Sequence, residues 1–389
     1  MTLIKPFLII VKSLLFFLFD SIVLWGSKSP QHNKLKLVLL IRQDAIGDFV
    51  IWLDTAKEYR KLYPPEKYKI VLVGNDVWYS LAKLLPYWDD VLPVNIKQFK
   101  TFSFYRKKLL RQVRNLGAQI TVQSAFSREF YLADSLVRAS NALCKICSTG
   151  DMRHLNWLKK KLADSWHTEL IPALGQPMTE LERNAEFFQQ LSRKSHQVDY
   201  PKLNLPNNVS SITWKNREYY VLFPGAGAAL RRWPVEFFAE IANRIFDKTG
   251  LTGVLDGLPN EKCLAKSIQD LSKAPLEWAG TKLSELPELL KNANFLVSCE
   301  TSAVYIAAAV GTPVVCILGG IDFGRFLPYP ELAGKELVLR TVSYPMSCFS
   351  CHAKCVYPLQ KGAPPPCITN VSIDAVWKEV EKIIEAKVN

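Results

Sequence analysis

An aspartate follows closely after the first strand-like segment of this sequence. The segment is Leu37–Ile41, an unbroken apolar run, and it leads through Arg42 and Gly47 to Asp48. A helical pattern begins at Phe49, and Gly47 is expected to let the chain turn closely before it. Strand, tight turn and helix in this order are typical of a parallel α/β sheet, whose ligands bind at the carboxyl ends of the strands. Asp48 is therefore a candidate general base, and helix capping is its alternative role.

A glycine loop with two arginines follows another strand-like segment in the second half of the chain. The strand is predicted over Tyr219–Phe223, and a helix is predicted from Val235 to Phe246. Between them lie Gly225, Ala226, Gly227, Arg231 and Arg232. Glycines at a strand end let a phosphate approach the backbone, and arginines neutralise its charge. We therefore expect this segment to bind a phosphate-bearing ligand.

A carboxylate and two hydroxyls stand at the start of a further predicted helix. A strand is predicted over Phe295–Ser298 and the helix over Val304–Val310. The residues between them include Glu300, Thr301, Ser302 and Ala303. Such side chains often cap helices. The alternative hypothesis places a diphosphate over the free N–H groups of Thr301 to Ala303, with Glu300 bonding a ribose or sugar hydroxyl.

Four of the nine cysteines cluster near the carboxyl end of the chain. They are Cys348, Cys351, Cys355 and Cys367. Four thiolates could hold one structural Zn²⁺, with His352 replacing one of them, and an iron–sulfur cluster, disulfides and free thiols are the alternatives. The close spacing of the first three favours a metal, whereas the pattern differs from two paired Cys-x2-Cys motifs. An odd number of cysteines in a large chain suits a reducing cytoplasm.

The rest of the chain supplies the elements that must position these residues. Further strands are predicted at 68–74, 90–94, 120–122, 251–255 and 314–318. Further helices are predicted at 78–85, 106–114, 283–290 and 371–388. Strands that alternate with helices predict a doubly wound α/β architecture in both halves of the chain.

Charge is distributed unevenly along the 389 residues. The net charge is +13, but residues 1–200 hold 29 basic and 18 acidic side chains, whereas residues 201–389 hold 20 and 18. A uniformly basic coat for nucleic acid is therefore not expected. The basic runs at 106–114 and 159–161 are either solvated faces or sites that attract anionic lipid headgroups or a phosphorylated lipid acceptor.

Because 49% of the residues are hydrophobic, the chain is expected to fold and not to be disordered.

Residues 7–25 form an apolar segment that Lys12 and Asp20 interrupt. A cleaved signal peptide fits poorly, because the segment is too long and contains an acid. In a spanning helix each charge would cost about 2.5–3.5 kcal/mol near the bilayer centre. On a helical wheel Lys5, Lys12, Ser13 and Asp20 share one sector and the remainder is apolar. We therefore predict a helix in the interface of an anionic membrane; a spanning helix and a helix packed on the next domain are the alternatives.

Three segments of the sequence, taken together in their order and separation, form a specific pattern. They read LLIRQDAIGD, FPGAG followed by RRWPVEFF, and WAGTKLSELPELLKNANFLVSCETSAVYIAAAVGTPVVCILGG. On these segments the chain resembles glycosyltransferase family 9, the bacterial heptosyltransferase family. The resemblance implies the GT-B fold, in which two Rossmann-like doubly wound domains face each other across a cleft. Here an N-terminal apolar helix and a cysteine-containing tail are added to that fold.

The family resemblance implies an inverting glycosyltransferase that requires no metal or other cofactor for catalysis. It would move a sugar, heptose or a related one, from a nucleoside-diphosphate sugar to a lipid-linked or cell-surface saccharide, as in lipopolysaccharide core synthesis. The implied location is the cytoplasmic face of the bacterial inner membrane, peripheral or monotopic. The resemblance assigns Asp48 as the general base and places Arg42 and Gly47 on the acceptor side. The donor phosphates would contact Arg231 or Arg232.

The chain departs from the family pattern at three places. Arginine replaces the lysine that is common before Trp-Pro, Glu300-Thr301-Ser302 replaces Asp-Thr-Gly, and Tyr305 replaces a histidine. These changes leave the donor sugar and its nucleotide open. The rival functions are a nucleotide-sugar-binding protein without catalysis and a sugar epimerase of the GT-B fold.

Four regions are expected along the chain. They are a membrane-associated amphipathic helix at 1–30, an acceptor-binding domain at 34–205, a nucleotide-sugar-binding domain at 215–345, and a cysteine cluster with a final helix at 346–389.

Overall fold

The computed structural model describes residues 4–26, 35–204, 217–360 and 362–388, with side chains described between residues 10 and 386. The chain divides into two compact units. The N unit comprises Met1–Pro177 and Glu182–Gln197, and the C unit comprises Met178–Leu181 and Val198–Asn389. The domain boundary expected between 205 and 215 lies outside the described residues.

The N unit is built on a parallel sheet of six strands in the order β3-β2-β1-β4-β5-β6. The strands are β1 (Lys36–Arg42), β2 (Tyr68–Asn75), β3 (Asp90–Val94), β4 (Ile120–Gln123), β5 (Cys144–Ser148) and β6 (Glu169–Ile171). The helices are α1 (Ile4–Leu24), α2 (Ile46–Ala56), α3 (Tyr59–Leu62), α4 (Tyr79–Ala82), α5 (Ile96–Phe99), α6 (Phe104–Asn115), α7 (Ser135–Ser140), α8 (Trp157–Asp164) and α9 (Glu180–Ser192), of which the first two residues of α9 belong to the C unit. From Leu37 to Arg42 every residue of β1 is buried, as expected of a central strand covered on both faces.

The C unit contains a second parallel sheet in the order β12-β11-β10-β7-β8-β9. The strands are β7 (Tyr219–Phe223), β8 (Thr252–Leu255), β9 (Leu276–Trp278), β10 (Leu296–Cys299), β11 (Val314–Ile317) and β12 (Leu339–Val342). The helices are α10 (Val235–Thr249), α11 (Lys262–Leu271), α12 (Leu286–Lys291), α13 (Ser302–Ala309), α14 (Pro366–Thr369) and α15 (Ile373–Val388). Two parallel six-stranded sheets confirm the predicted α/β fold class.

The final helix completes the core of the C unit. Val376, Val380 and Ile383 on α15 are buried in the same apolar cluster as the strands of that unit. Lys248 of α10 also forms an ion pair with Glu381 across 2.6 Å. The predicted helix over 371–388 is therefore present, and it packs on the C unit.

The first helix packs on the N unit with its polar side inward. Ser13 and Asp20 are 0% and 2% exposed, and Asp20 forms a buried ion pair with Arg106 of α6. The helical wheel predicts a polar stripe on a helix in the membrane interface, but Ser13 and Asp20 face the protein, where they form hydrogen bonds with Tyr131 and Arg106. Lys12 is exposed, and the side chain of Lys5 lies outside the described residues. Among the helices of the described ranges, none combines the length and apolar character that crossing a membrane requires.

The helix predicted to begin at Phe49 begins three residues earlier. It is divided in two, because α2 ends at Ala56 and α3 occupies Tyr59–Leu62. The earlier start places both Gly47 and Asp48 inside the first turn of α2. Gly47 is thus a helix residue, and the chain turns at residues 43–45 instead.

Candidate active site

Both sheets have a topological switch point beside their first strand. In the N unit β1 lies between β2 and β4, and in the C unit β7 lies between β8 and β10. Open α/β sheets bind ligands at the carboxyl ends of the strands next to such a point. Asp48 follows β1, the glycine loop follows β7 and Glu300 follows β10. Each predicted group of polar residues therefore stands at a switch point of one of the two sheets.

Asp48 is the third residue of α2 and is half-buried. The N-cap position of this helix is occupied by Ala45, which makes no side-chain capping bond. A carboxylate in the first turn of a helix interacts favourably with the positive end of the helix dipole. The assignment of Asp48 as the base stays a prediction.

Arg42 is buried and holds the end of β1 in place. Its side chain is 0% exposed, and its NH1 group donates to Asn184 Oδ1 across 3.0 Å and to Ser124 Oγ across 3.2 Å. Its Nε lies 2.5 Å from Asp44 Oδ2. A guanidinium with no exposed surface does not contact an acceptor directly. We therefore interpret its predicted place on the acceptor side as a positioning role for Asp44 and the loop that leads to Asp48.

The two glycines of the second loop have different surroundings. A Cβ atom built on Gly225 would lie 2.2 Å from Glu261 Oε2, so only glycine fits there. Glu261 is 4% exposed, and its Oε2 accepts a hydrogen bond from the Leu258 backbone N–H across 2.9 Å. A Cβ atom on Gly227 would meet no heavy atom within 4 Å. Gly225 is therefore required for packing, whereas Gly227 borders open space that a ligand could occupy.

Arg231 and Arg232 both point to carboxylates of the C unit. Arg231 NH2 lies 2.9 Å from Asp322 Oδ2, and its NH1 lies 3.3 Å from Glu300 Oε2. Arg232 NH2 lies 3.4 Å from Glu261 Oε1. The two guanidinium side chains keep 26% and 34% exposure. The carboxylates neutralise part of the charge of both guanidinium groups. Because both groups also remain partly exposed, N–H donors are left for a phosphate.

Glu300 is a buried carboxylate with two partners. It is 4% exposed, its Oε2 faces Arg231, and its Oε1 accepts a hydrogen bond from Tyr305 Oη across 3.1 Å. Burial raises the pKa of Glu300 above its usual value, and the charge of Arg231 and the Tyr305 hydrogen bond oppose that shift. Burial also raises the pKa of Tyr305 well above its usual value, so its hydroxyl remains a donor.

Thr301 is the N-cap of α13. Its Oγ1 accepts a hydrogen bond from the Ala303 backbone N–H across 3.2 Å, and Ala303 is fully buried. The amide of Ala303 is therefore not one of the free N–H groups that the sequence analysis expected for a diphosphate. Thr301 therefore caps the helix. Ser302 is the first residue of α13 and is half-buried.

Two carboxylates of this edge were missed by the sequence analysis. Glu261 supports the glycine loop, and Asp322 pairs with Arg231. No local motif marks Glu261, because it contacts Gly225 from a position 36 residues away. Asp322 had a detectable signal, since it follows Gly319 and Gly320 just after the predicted strand at 314–318, and polar residues at strand ends line such sites.

The four clustered cysteines line one small cavity of about 20 Å³ in the C unit. They are Cys348, Cys351, Cys355 and Cys367. All nine cysteines are free thiols, and burial raises the pKa of Cys367. Within residues 4–26, 35–204, 217–360 and 362–388, no group of three or more His, Cys, Asp or Glu side chains is arranged to hold a metal ion. The structural zinc predicted at these four cysteines stays a prediction.

The cysteine loop contacts Asp322, the partner of Arg231, through one histidine. The backbone N–H of His352 donates to the carbonyl of Ile321 across 2.9 Å, and His352 Nδ1 lies 3.2 Å from Asp322 Oδ1. Asp322 in turn holds Arg231. The conformation of the cysteine loop therefore influences the position of Arg231, which is predicted to bind phosphate.

The architecture and the strand-end loops define a protein of the GT-B class. Heptosyltransferase II of E. coli is similar in structure, with a TM-score of 0.68 and 16% identity over 91% of this chain and 100% of that one. The family 9 glycosyltransferase from Veillonella parvula has a TM-score of 0.68 and 13% identity over 92% and 100%. The E. coli heptosyltransferase WaaC with ADP has a TM-score of 0.63 and 18% identity over 90% and 98%. No curated protein matches this chain in sequence.

A family model described as glycosyltransferase family 9 (heptosyltransferase) matches residues 135–355, which is more than half of the chain. The chain belongs to this family. It is therefore a glycosyltransferase, and the predicted family is confirmed.

Proposed function

We propose that the protein is an inverting glycosyltransferase that moves a sugar from a nucleoside-diphosphate sugar to a saccharide acceptor. The observation that carries the proposal is the group of Arg231, Glu300 and the open space beside Gly227 at the switch point of the C unit. It combines phosphate donors, a carboxylate for a hydroxyl, and room for a ligand. The matched family supports transfer as the reaction class.

The donor diphosphate would bind beside Gly227 and the guanidinium groups of Arg231 and Arg232. Negative charge grows on the leaving diphosphate in the transition state, so fixed N–H donors stabilise it more than the ground state. The two arginines take the part that a divalent cation has in other transferases, so we propose that catalysis requires no metal cofactor. Glu300 would accept a hydrogen bond from a ribose or sugar hydroxyl.

The reaction begins at the acceptor hydroxyl, whose proton passes to the Asp48 carboxylate. The acceptor oxygen bonds to the anomeric carbon from the face opposite the diphosphate, and the bond from that carbon to the diphosphate oxygen breaks. The nucleoside diphosphate leaves with the electron pair, and the configuration at the anomeric carbon inverts. Arg42 would contribute by holding Asp44 and the loop ahead of α2.

The donor and the acceptor are finer parts of the proposal. The E. coli heptosyltransferase WaaC was solved with ADP and with ADP-2-deoxy-2-fluoro heptose, which makes an ADP-sugar the first donor to test. For the acceptor we propose a lipid-linked saccharide at the cytoplasmic face of the bacterial inner membrane, as in lipopolysaccharide core synthesis. The basic and apolar surface of the N unit supports this location.

Calorimetric titration with ADP, GDP, UDP and CDP, with and without Mg²⁺, tests the donor site. We expect one nucleotide to bind without magnesium and Arg231→Ala to weaken it at least about tenfold, as for a lost charge-assisted hydrogen bond. Arg244→Ala is the matched control, because Arg244 is 31% exposed and also pairs with two carboxylates, Glu240 of α10 and Asp374 of α15, that the proposed donor site does not include.

If the wild type and Arg231→Ala bind the nucleotide with equal affinity, the donor binds elsewhere. If none of the four nucleotides binds, the glycine loop has a structural role only. The rival functions give different turnover. A sugar epimerase would convert its donor without an acceptor, and a non-catalytic binding protein would bind nucleotide without consuming any donor.

A further inference from the structure

The first helix exposes a continuous apolar row. Leu14, Leu18 and Ile22 follow the spacing i, i+4 and i+8 on one face of α1, and Trp25, at i+11, continues this row just beyond the end of the helix. Their exposed fractions are 44%, 54%, 70% and 85%, and Leu15 beside them is 51% exposed. We name these five residues the outer row of α1. Large apolar side chains grouped on one face, unlike single exposed ones, indicate an interaction surface.

The outer row cannot turn inward, because the opposite face of α1 is locked to the N unit. Arg106 donates from Nε to Asp20 Oδ1 across 2.7 Å and from NH2 to Asp20 Oδ2 across 2.5 Å. The guanidinium also donates to the carbonyls of Phe99 and Tyr131, and both members of the ion pair are buried. Rolling the helix to hide its apolar row would break this fully bonded pair.

Basic side chains flank the outer row on α6. Phe104, Lys108 and Arg111 are exposed and share one face of α6. With Lys107 they line an open groove of about 660 Å³. Arg111 Nε donates to the carbonyl of Val23 across 3.4 Å, which connects this basic face to the carboxyl end of α1. The basic face therefore adjoins the outer row where it ends at Ile22 and Trp25.

A second basic pair flanks the other end of α1. Lys12 Nζ and Lys159 Nζ lie 5.6 Å and 4.6 Å from the centroid of the Tyr131 ring. Phe102, 49% exposed, stacks on Phe16 of α1 with ring centroids 4.0 Å apart. Lys12 and Lys159 thus place two further positive charges beside α1.

We propose that the outer row of α1, together with Lys12, Lys108 and Arg111, is a docking surface for an anionic lipid bilayer. The apolar row would enter the boundary between headgroups and acyl chains, and the basic side chains would contact anionic headgroups. A second copy of the chain fits less well, because it would bring two basic faces together. The proposal extends the proposed membrane location of the acceptor but does not rest on the transfer reaction.

Vesicle flotation of the full chain tests the docking surface. The vesicles are phosphatidylcholine alone or phosphatidylcholine mixed with phosphatidylglycerol. We expect binding to the mixed vesicles that weakens with added salt. The double substitution Leu18→Ser with Ile22→Ser, and separately Lys108→Gln with Arg111→Gln, should each lower the partition coefficient at least about tenfold.

Matched controls come from the C unit. Leu271 is 52% exposed, close to the 54% of Leu18, and Leu271→Ser should leave vesicle binding unchanged. Lys273→Gln is the control for charge, since Lys273 is exposed next to Leu271. Unchanged thermal unfolding of each variant shows that a lost interaction is not lost folding, and nucleotide titration measures donor binding separately.

Three results would overturn the proposal. The first is vesicle binding that the serine variant retains. The second is equal binding to neutral and anionic vesicles, which removes the role of the basic side chains. The third is a dimer in solution that the serine variant dissociates while no vesicle binding occurs, which assigns the outer row to a second copy of the chain.

Discussion

Tyr305 Oη donates a hydrogen bond to Glu300 Oε1 across 3.1 Å, and both side chains are buried. These are two of the positions at which the sequence departs from the family pattern, with Glu in place of Asp and Tyr in place of His. The structure joins the two departures through this hydrogen bond, and Arg231 lies beside the other carboxylate oxygen of Glu300. The pair keeps a buried carboxylate at the position where the pattern has one, so the departures are coupled and preserve the charge of the site.

Removal of the tyrosine hydroxyl should destabilise the protein in a pH-dependent way. Burial raises the folded-state pKa of Glu300, and the Tyr305 hydrogen bond lowers it, so Tyr305→Phe raises it further. A carboxyl with a raised folded pKa contributes stability that is full below its ordinary pKa of 4.5 and is lost as the pH rises through the folded value. The variant should therefore lose about 1.5–3 kcal/mol at neutral pH and less in acid.

Urea denaturation of the wild type and of Tyr305→Phe, from acid to neutral pH, measures the difference in the free energy of unfolding. The control is Tyr329→Phe, because Tyr329 is also buried but its hydroxyl has no hydrogen-bond partner in the described structure. A loss of stability in Tyr305→Phe that is the same at every pH would contradict the assigned bond to an ionised Glu300.

The two loop glycines should respond differently to alanine. Gly225→Ala places a methyl group 2.2 Å from Glu261 Oε2, so it should lower stability by about 1–3 kcal/mol. Gly227→Ala meets no atom within 4 Å and should fold normally. If the donor occupies the space beside Gly227, the second variant should still lose nucleotide affinity. Thermal unfolding and calorimetry separate the two effects, and normal affinity in Gly227→Ala would show that the donor lies elsewhere.

Asp48→Asn should lower transfer by about 10²–10⁴-fold, because an amide cannot take the acceptor proton. Donor affinity should be unchanged, since the proposed donor contacts are all in the C unit. The measurement is sugar transfer under saturating donor, and Asp90→Asn, on an exposed residue of β3, is the control. Nearly full turnover in Asp48→Asn would rule out Asp48 as the base.

The buried ion pair of α1 should be sensitive to the loss of one partner. Asp20→Ala leaves the Arg106 charge buried and unpaired, which should cost about 3–5 kcal/mol. Asp270→Ala breaks the exposed pair with Lys266 and should cost less than about 1 kcal/mol. Urea denaturation compares the two variants. Similar small losses for both would mean that α1 contributes little to the folded N unit.

The cysteine cluster should contain close to one metal ion per chain if its thiols bind zinc. Metal analysis of protein purified without a chelator measures this number, and Cys351→Ser should lower it. Cys263→Ser is the control, because Cys263 is an exposed thiol outside the cavity. A metal content near zero in the wild type would leave the four residues as free thiols.

The sequence determined by itself the parts of this protein that depend on neighbouring residues. Apolar runs such as 37–41 and 219–223 predicted buried parallel strands, because a strand covered on both faces needs a continuous apolar run. The glycine loop and the Glu300 segment were placed correctly at strand ends for the same reason. Helix boundaries were predicted less accurately, as the earlier start of α2 shows. The residues of the first turn of a helix differ little in type from those of a loop.

The tertiary structure alone decided which side chains meet. Arg106 and Asp20 are 86 residues apart, and Arg231 and Asp322 are 91 apart. No local pattern predicts such a pairing, because it depends on how helices and loops pack around the sheet. The same packing buried Arg42 and turned the polar side of α1 toward the protein, leaving its apolar row outside. Sequence periodicity shows that a helix has two faces, but only its packing partners determine which face is buried.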